Sequence, residues 1–172
     1  MFMDNRVKEL ILGYDLCNDY IQICCYNQKT QDMDTICYIG EKMLDRIPAV
    51  LCRLYRDQTW VCGYDAWKAV NENRGILVEN FVDGLEDEKE IQVGSDPYSS
   101  GELTRIFICE SLKLVTKYYP HWQVGHLAVS VVNLGKRTVQ ALKPLCGMMA
   151  FDESGLSVMN HVSAYEYYAL NR

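Results

Sequence analysis

Asp15 is the residue best placed to do chemistry. It stands in Leu10-Ile11-Leu12-Gly13-Tyr14-Asp15-Leu16-Cys17, an apolar run that reads as a strand. Asn18 and Asp19 then turn the chain into a second apolar run, Tyr20-Ile21-Gln22-Ile23-Cys24-Cys25. A carboxylate at the rim of a tight strand-to-strand turn suits a site where metal-bound water or a phosphate approaches backbone. The same carboxylate also serves as a turn residue that accepts local N–H groups, and the residues alone leave both uses open.

The eight cysteines, Cys17, Cys24, Cys25, Cys37, Cys52, Cys62, Cys109 and Cys146, include no C-x-x-C pair, and most lie inside apolar runs. Structural zinc sites use close ligand pairs, and only His121, His126 and His161 are available as partners. The cysteines therefore read as small buried hydrophobes of a reducing compartment. Cys24 and Cys25 alternate across a strand and do not face one site together.

The elements that must position Asp15 follow from the pattern of the chain. Residues 9–17 and 19–27 read as strands, with Thr35 to Ile39 a third. Arg46 to Leu54 and Gln58 to Cys62 read as a strand pair, Gly63 to Val70 as a short helix and Ile76 to Phe81 as another apolar run. The acidic segment Asp83 to Glu90 reads as a solvated loop. Ser99 and Glu102 form a capping-box pattern ahead of a helix that buries Leu103, Phe107, Ile108, Leu112, Leu114, Val115 and Tyr118. His126 to Val132 is a continuous apolar run, as expected of a strand covered on both faces. Lys136 to Met149 reads as a helix with a break at Pro144. A strand from Gly155 to Met159 and a last helix from Ala164 to Leu170, opened by Ser163, complete the chain. Met148 and Met149 read as core filler.

This order, β-β-β, a mixed insertion, then α-β-α-β-α, predicts an α/β protein with a mixed sheet. It is characteristic of the ribonuclease H-like core. The expected core is residues 8–39 and 99–172, with a small inserted subdomain at 40–98. At 172 residues and 49% hydrophobic, the chain is long enough for one sizeable core. Its net charge of -6 argues against a nucleic-acid partner. No stretch is long enough to span a membrane, and the start lacks a signal-peptide pattern, so a cytoplasmic location is expected.

With those elements in place, the chain resembles the actin, hexokinase and heat-shock-chaperone ATPase superfamily. The likeness is greatest to lobe I, the N-terminal half, of the nucleotide-binding domain of the seventy-kilodalton heat-shock chaperones. Leu12-Gly13-Tyr14-Asp15-Leu16 is similar to the family's first phosphate motif, and Ile47-Pro48-Ala49-Val50 to its Pro-Ser strand. Trp60 to Trp67 resembles its strand-to-helix step, and Leu127-Ala128-Val129-Ser130-Val131-Val132 its Val-x-Thr-Val-Pro strand, with Lys136-Arg137-Thr138 opening the helix that follows. Val158 to Ala164 falls where the family has Ile-Asn-Glu-Pro-Thr-Ala-Ala.

The resemblance implies ATP and magnesium as ligands. Gly13, Asp15, Cys17, Asn18 and Asp19 would then lie at the nucleotide, with Asp15 on magnesium-bound water. It also implies a second lobe as partner, because no second phosphate motif or adenosine motif follows in these residues. The departures point to lost hydrolysis. The family's glycine and two hydroxyl residues are replaced by Cys17-Asn18-Asp19. A Cβ at Cys17 obstructs close approach of backbone to phosphate. Asp19 adds a like charge beside a polyanion, worth on the order of a kcal/mol. The family's catalytic lysine falls near Glu79-Asn80, and its water-positioning glutamate at His161. His161 is read either as a substitute general base, since histidine titrates near neutrality, or as a degenerate position at a strand–helix junction.

The expectation is a chaperone-like nucleotide-binding lobe degenerate in hydrolysis and inactive as this chain. The alternative is an active sugar-kinase-like phosphotransferase whose second lobe is absent. A nuclease is disfavoured: it needs several carboxylates converging on two metals, and beyond Asp15 no acid stands at the end of a core strand. Tyr165, Tyr168 and Leu170 on the last helix are expected to meet the second lobe or a second copy of the chain.

Overall fold

The computed structural model describes residues 8–27, 32–36, 38–39, 43–44 and 46–170. The main strands are β1 (Lys8–Leu16), β2 (Tyr20–Asn27) and β3 (Asp32–Ile36). Short pieces follow: β4 (Tyr38–Ile39), β5 (Met43–Leu44) and β6 (Ile47–Pro48). Next come β7 (Leu51–Leu54), β8 (Trp60–Cys62), α1 (Gly63–Asn71), β9 (Gly75–Val78), β10 (Glu90–Val93) and β11 (Asp96–Ser99). The long helix α2 (Ser100–Tyr118) leads to β12 (Trp122–Val131), α3 (Lys136–Leu142), α4 (Leu145–Met149), a 3-10 turn at Glu153–Gly155, β13 (Leu156–Asn160) and α5 (His161–Leu170). No helix among the described residues is long and apolar enough to cross a membrane.

The chain is a mixed α/β protein. Its main sheet has the order β13-β12-β1-β2-β3, with β6 also paired to β2. β12 runs parallel to β1 and to β13, whereas β2 is antiparallel to both β1 and β3. Leu12, Tyr14 and Leu16 of β1, Ile21, Ile23 and Cys25 of β2, and Leu127, Val129 and Val131 of β12 are buried on one face. There they join Leu103, Phe107 and Ile108 of α2 in the main core. Gly13, Asp15, Ala128 and Ser130 alternate to the other face and stay half-buried.

Several expectations change. The apolar run at His126 to Val132 is not covered on both faces: His126, Ala128 and Ser130 are half-buried. Their polar or small side chains already mark a period of two. The strand expected at Thr35 to Ile39 is divided between β3 and β4, with Cys37 outside the described residues. The run Arg46 to Leu54 is also broken, into β6 and β7, and the β10–β11 hairpin is an additional element. Among the described residues, the last helix begins at His161 rather than near Ser163. Asn160 Oδ1 accepts from Ser163 N at 2.7 Å, so Asn160 takes the capping part.

The helix break at Pro144 and the capping box are present as expected. Pro144 separates α3 from α4. The Ser99 hydroxyl accepts from Glu102 N, while the Glu102 carboxylate accepts from Ser99 N at 2.8 Å. The acidic segment is more than a solvated loop. Leu85 is buried in the main core, and Glu86 Oε1 accepts from Thr138 N at 2.7 Å in the first turn of α3. That hydrogen bond holds the Glu86 carboxyl below its ordinary range.

Residues 40–98 carry their own small sheet, β8-β7-β9, with Val50, Cys52, Ala66 and Ala69 as a local cluster under α1. The segment also reaches into the main core. Asn80 takes φ 58°, a left-handed turn that asparagine tolerates. The following residue, Phe81, is fully buried with its ring centroid 5.3 Å from that of Phe107.

Candidate functional site

The carboxyl ends of the parallel strands β1, β12 and β13 meet at one edge of the main sheet, where open α/β sheets place their ligand sites. Asp15 is the penultimate residue of β1 and stands opposite Ser130 of β12 in the parallel register. Ser130 Oγ donates to Asp15 Oδ1 at 2.7 Å. His161, the first residue of α5 after β13, brings Nε2 to 2.8 Å from the same oxygen. The buried Nε2 has no partner that meets hydrogen-bond geometry. The contact is a close approach of imidazole and carboxylate without a hydrogen bond between them.

Cys17 completes the cluster. One ligand atom each from Asp15, Cys17 and His161 lie within 4.8 Å of one another, and all three residues are half-buried. Burial first, then the neighbouring Asp15 charge, pushes the Cys17 thiol above its ordinary range. The same holds more strongly for Cys62, which burial and then Glu110 and Asp65 push up to about 12. Cys24, on the strand beside Gly13, is likewise raised by burial. Without a bound cation these side chains are thiols, not thiolates, near neutral pH.

Of the residues singled out from sequence, the structure therefore brings Asp15, Cys17 and His161 together. Gly13 lies two residues before Asp15 on the same face, and a Cβ there would come within 2.6 Å of Cys24 Sγ, so a larger residue would have to displace that thiol. Asn18 points elsewhere: its side-chain amide donates to the Asp83 carboxylate and ties the β1–β2 turn to the acidic segment. Asp19 is exposed, and its carbonyl accepts from Ala49 N at 3.0 Å. The turn closes on itself, with Cys17 N donating to Tyr20 O at 3.1 Å. One of the N–H groups that a phosphate would need is thus already used.

Ser130 and Arg46 were not singled out in advance. Ser130 is found through register: it is the hydroxyl that parallel pairing sets beside Asp15. Arg46 stacks its guanidinium 4.5 Å over the Tyr20 ring and lies close enough to Cys17 to favour its thiolate. Glu79 and Asn80, where the resemblance puts a catalytic lysine, are exposed. Beside the site, a cavity of about 20 Å³ lined by Asn18, Asp83, Glu86, Asn133 and Thr138 has room for about one water molecule.

No curated protein matches this chain. Residues 32–172 match the model of a family described as "Family of unknown function (DUF5716) C-terminal". The matched part includes Ser130 and His161 but not Asp15 and Cys17. By that match over most of its length, the chain belongs to the family of unknown function DUF5716, in its C-terminal part.

Proposed function

We propose that the chain is a ribonuclease H-like, actin-type lobe of a chaperone-like nucleotide-binding protein, in which the strand-end site binds ligand without hydrolysing ATP. The order of the sheet supports this reading: an antiparallel β1-β2-β3 start is followed by β12 and β13 parallel to β1. The observation that carries the loss of hydrolysis is the company that Asp15 keeps. Cys17 sulfur and His161 nitrogen stand beside its carboxylate, where a nucleotide-hydrolysing site would surround hydrated magnesium with oxygen ligands. The turn that follows, Cys17-Asn18-Asp19, is held by Tyr20, Asp83 and Ala49.

Calorimetric titration of the chain with ATP and magnesium tests the reading. The expected result is no saturable heat in the micromolar range and no release of phosphate. A dissociation constant of about 10 μM, or roughly 7 kcal/mol of binding free energy, would overturn it. Turnover together with such binding would favour a phosphotransferase instead.

The same reading leaves α5 as an association surface. No residue of α5 is buried, and Val162, Tyr165 and Leu170 are 66%, 71% and 84% exposed. Glu166 is its one carboxylate or ammonium-type charge, so two copies of the helix meet little repulsion. Exposed apolar residues of this size tend to find a partner, and a two-fold pair of identical chains is the commonest arrangement. Light scattering over a concentration series is expected to show mass rising toward a dimer, and Tyr165→Glu with Leu170→Glu to abolish the rise. A monomer mass at every concentration would remove this part of the reading.

A further inference from the structure

We propose that Asp15, Cys17 and His161 form a three-ligand site for a borderline-soft divalent transition metal of the zinc class, with a fourth position open to water or a ligand. The inference rests on the same strand edge as the function above, but it requires no nucleotide and no actin-type ancestry.

Three features support it. First, the ligand atoms come from separate elements, the end of β1, the turn after it and the start of α5, and still lie within 4.8 Å of one another. Tetrahedral zinc holds its ligands at about 2.0–2.3 Å, which places neighbouring ligand atoms about 3.3–3.6 Å apart. The Asp15–His161 contact at 2.8 Å therefore needs to open by about half an ångström, within the freedom of two half-buried side chains. Second, His161 Nε2 is buried without a hydrogen bond while facing a carboxylate oxygen. A ring nitrogen set against a carboxylate oxygen outside hydrogen-bond geometry is the arrangement that two ligands of one cation adopt, and His-ligated metals commonly keep a carboxylate nearby. Third, Ser130 Oγ donates to Asp15 Oδ1 and so orients the carboxylate, as outer-shell partners of metal ligands do.

The donor set decides the kind of metal. Thiolate, imidazole and carboxylate are the ligands of zinc and its neighbours, whereas magnesium takes oxygen ligands in an octahedron. Binding replaces the proton on the Cys17 sulfur with the metal, and that proton leaves to solvent. One thiolate and one carboxylate balance the two positive charges, so the loaded site is neutral. Three protein ligands with one open position is the pattern of zinc sites that activate water or bind an exchangeable group.

The test uses the whole chain, stripped with chelator and without nucleotide. Zinc is titrated against a chromophoric chelator, and cobalt(II) is added as a coloured substitute that reports thiolate ligation by near-ultraviolet charge transfer and tetrahedral geometry by visible absorption. One equivalent of zinc per chain is expected, unaffected by millimolar magnesium. Cys17→Ser is expected to abolish the charge-transfer band, and both it and His161→Ala to weaken zinc binding by at least about tenfold, the lower end of what loss of an outer-shell partner alone costs. His121→Ala, at an exposed histidine away from the cluster, serves as the control. Zinc-edge X-ray absorption of the unmodified chain gives an answer independent of variant folding: one sulfur with nitrogen and oxygen neighbours is expected. No stoichiometric binding, no sulfur in the first shell, or binding unchanged in folded Cys17→Ser and His161→Ala variants would overturn the proposal. Because nucleotide is absent throughout, failure here leaves the ATP titration to decide the function above, and tight ATP binding leaves the metal result standing.

Discussion

Phe81→Ala is expected to lower the free energy of unfolding by about 3–5 kcal/mol, although Phe81 lies in the segment between the small sheet and the acidic turn. The ring is fully buried and packs 5.3 Å, centroid to centroid, from Phe107 of α2. Val82, Leu85 and Val93 of the same segment join that cluster, as do Ile47, Ala49 and Leu51. Removing the ring leaves a cavity between segments far apart in sequence, and neither collapses easily onto the other because α2 is fixed by its cap and by the sheet. The loss is therefore global. Amide exchange in β1 and β12 should accelerate together with exchange in β7 and β9, and chemical denaturation should stay a single transition. Met148→Ala, at a residue that the sequence suggests as core filler but that is 55% exposed, should stay within about 0.5 kcal/mol of the parent and provides the reference. A loss under 1 kcal/mol for Phe81→Ala, or faster exchange confined to residues 46–98, would show that the two parts fold separately.

This coupling explains which parts of the molecule were legible in sequence. The long elements were: β1, β2, α1 and α2 carry clear apolar patterning, β12 stands out as an apolar run although its covered face is misread, and Pro144 and the Ser99–Glu102 pair punctuate helices through local chemistry that tertiary contacts do not override. Elements specified by distant contacts were not. Glu86 is one acid among several in Asp83 to Glu90, and nothing in its neighbourhood says that it meets the first turn of α3, 52 residues away. The β10–β11 hairpin has only four residues in each strand: Glu90-Ile91-Gln92-Val93 alternates, with Val93 buried, but the run is too short to stand out beside the acidic segment. At the site, Asp15 stands out because a charge ends an apolar strand, and His161 because the resemblance puts the family's water-positioning glutamate there. Their meeting was not visible, since it depends on β12 lying between β1 and β13 in register. Cys17 was read as an obstacle to phosphate; its distance from His161 gives it a second meaning.

The residue beside Asp15 offers the other large effect. Tyr14 points to the opposite face of β1 and is fully buried, with its hydroxyl 2.7 Å from Ser111 Oγ of α2. Ser111 Oγ donates its single proton to Ile108 O at 3.0 Å, so the phenol is the donor in the shared bond. The two deletions are then unequal. Tyr14→Phe removes a donor and leaves Ser111 bonded to Ile108, costing about 1 kcal/mol. Ser111→Ala strands a buried phenolic O–H and should cost more, up to about 3 kcal/mol. In the double variant both groups are gone, and the combined loss should fall short of the sum by at least about 0.5 kcal/mol. Additivity within 0.3 kcal/mol would show that the bond contributes nothing of its own.

The same pair predicts an alkaline limb. Burial, the largest cause, pushes the Tyr14 pKa well above its ordinary 10.0. Above pH 10 the unfolded chain releases this proton while the folded chain keeps it, so the native state binds more protons and stability falls as pH rises. Below pH 10 the contribution is fully present. Tyr14→Phe should flatten part of this fall in denaturation midpoints measured from pH 9 to 11, leaving the part that belongs to buried thiols such as Cys62. An unchanged slope would mean that Tyr14 is open to water. The consequence reaches the site through register. A one-residue slip of β1 would move the phenol to the half-exposed face and Asp15 into the apolar core. The Tyr14–Ser111 bond, made only in one register, holds Asp15 on the face where Ser130 and His161 meet it.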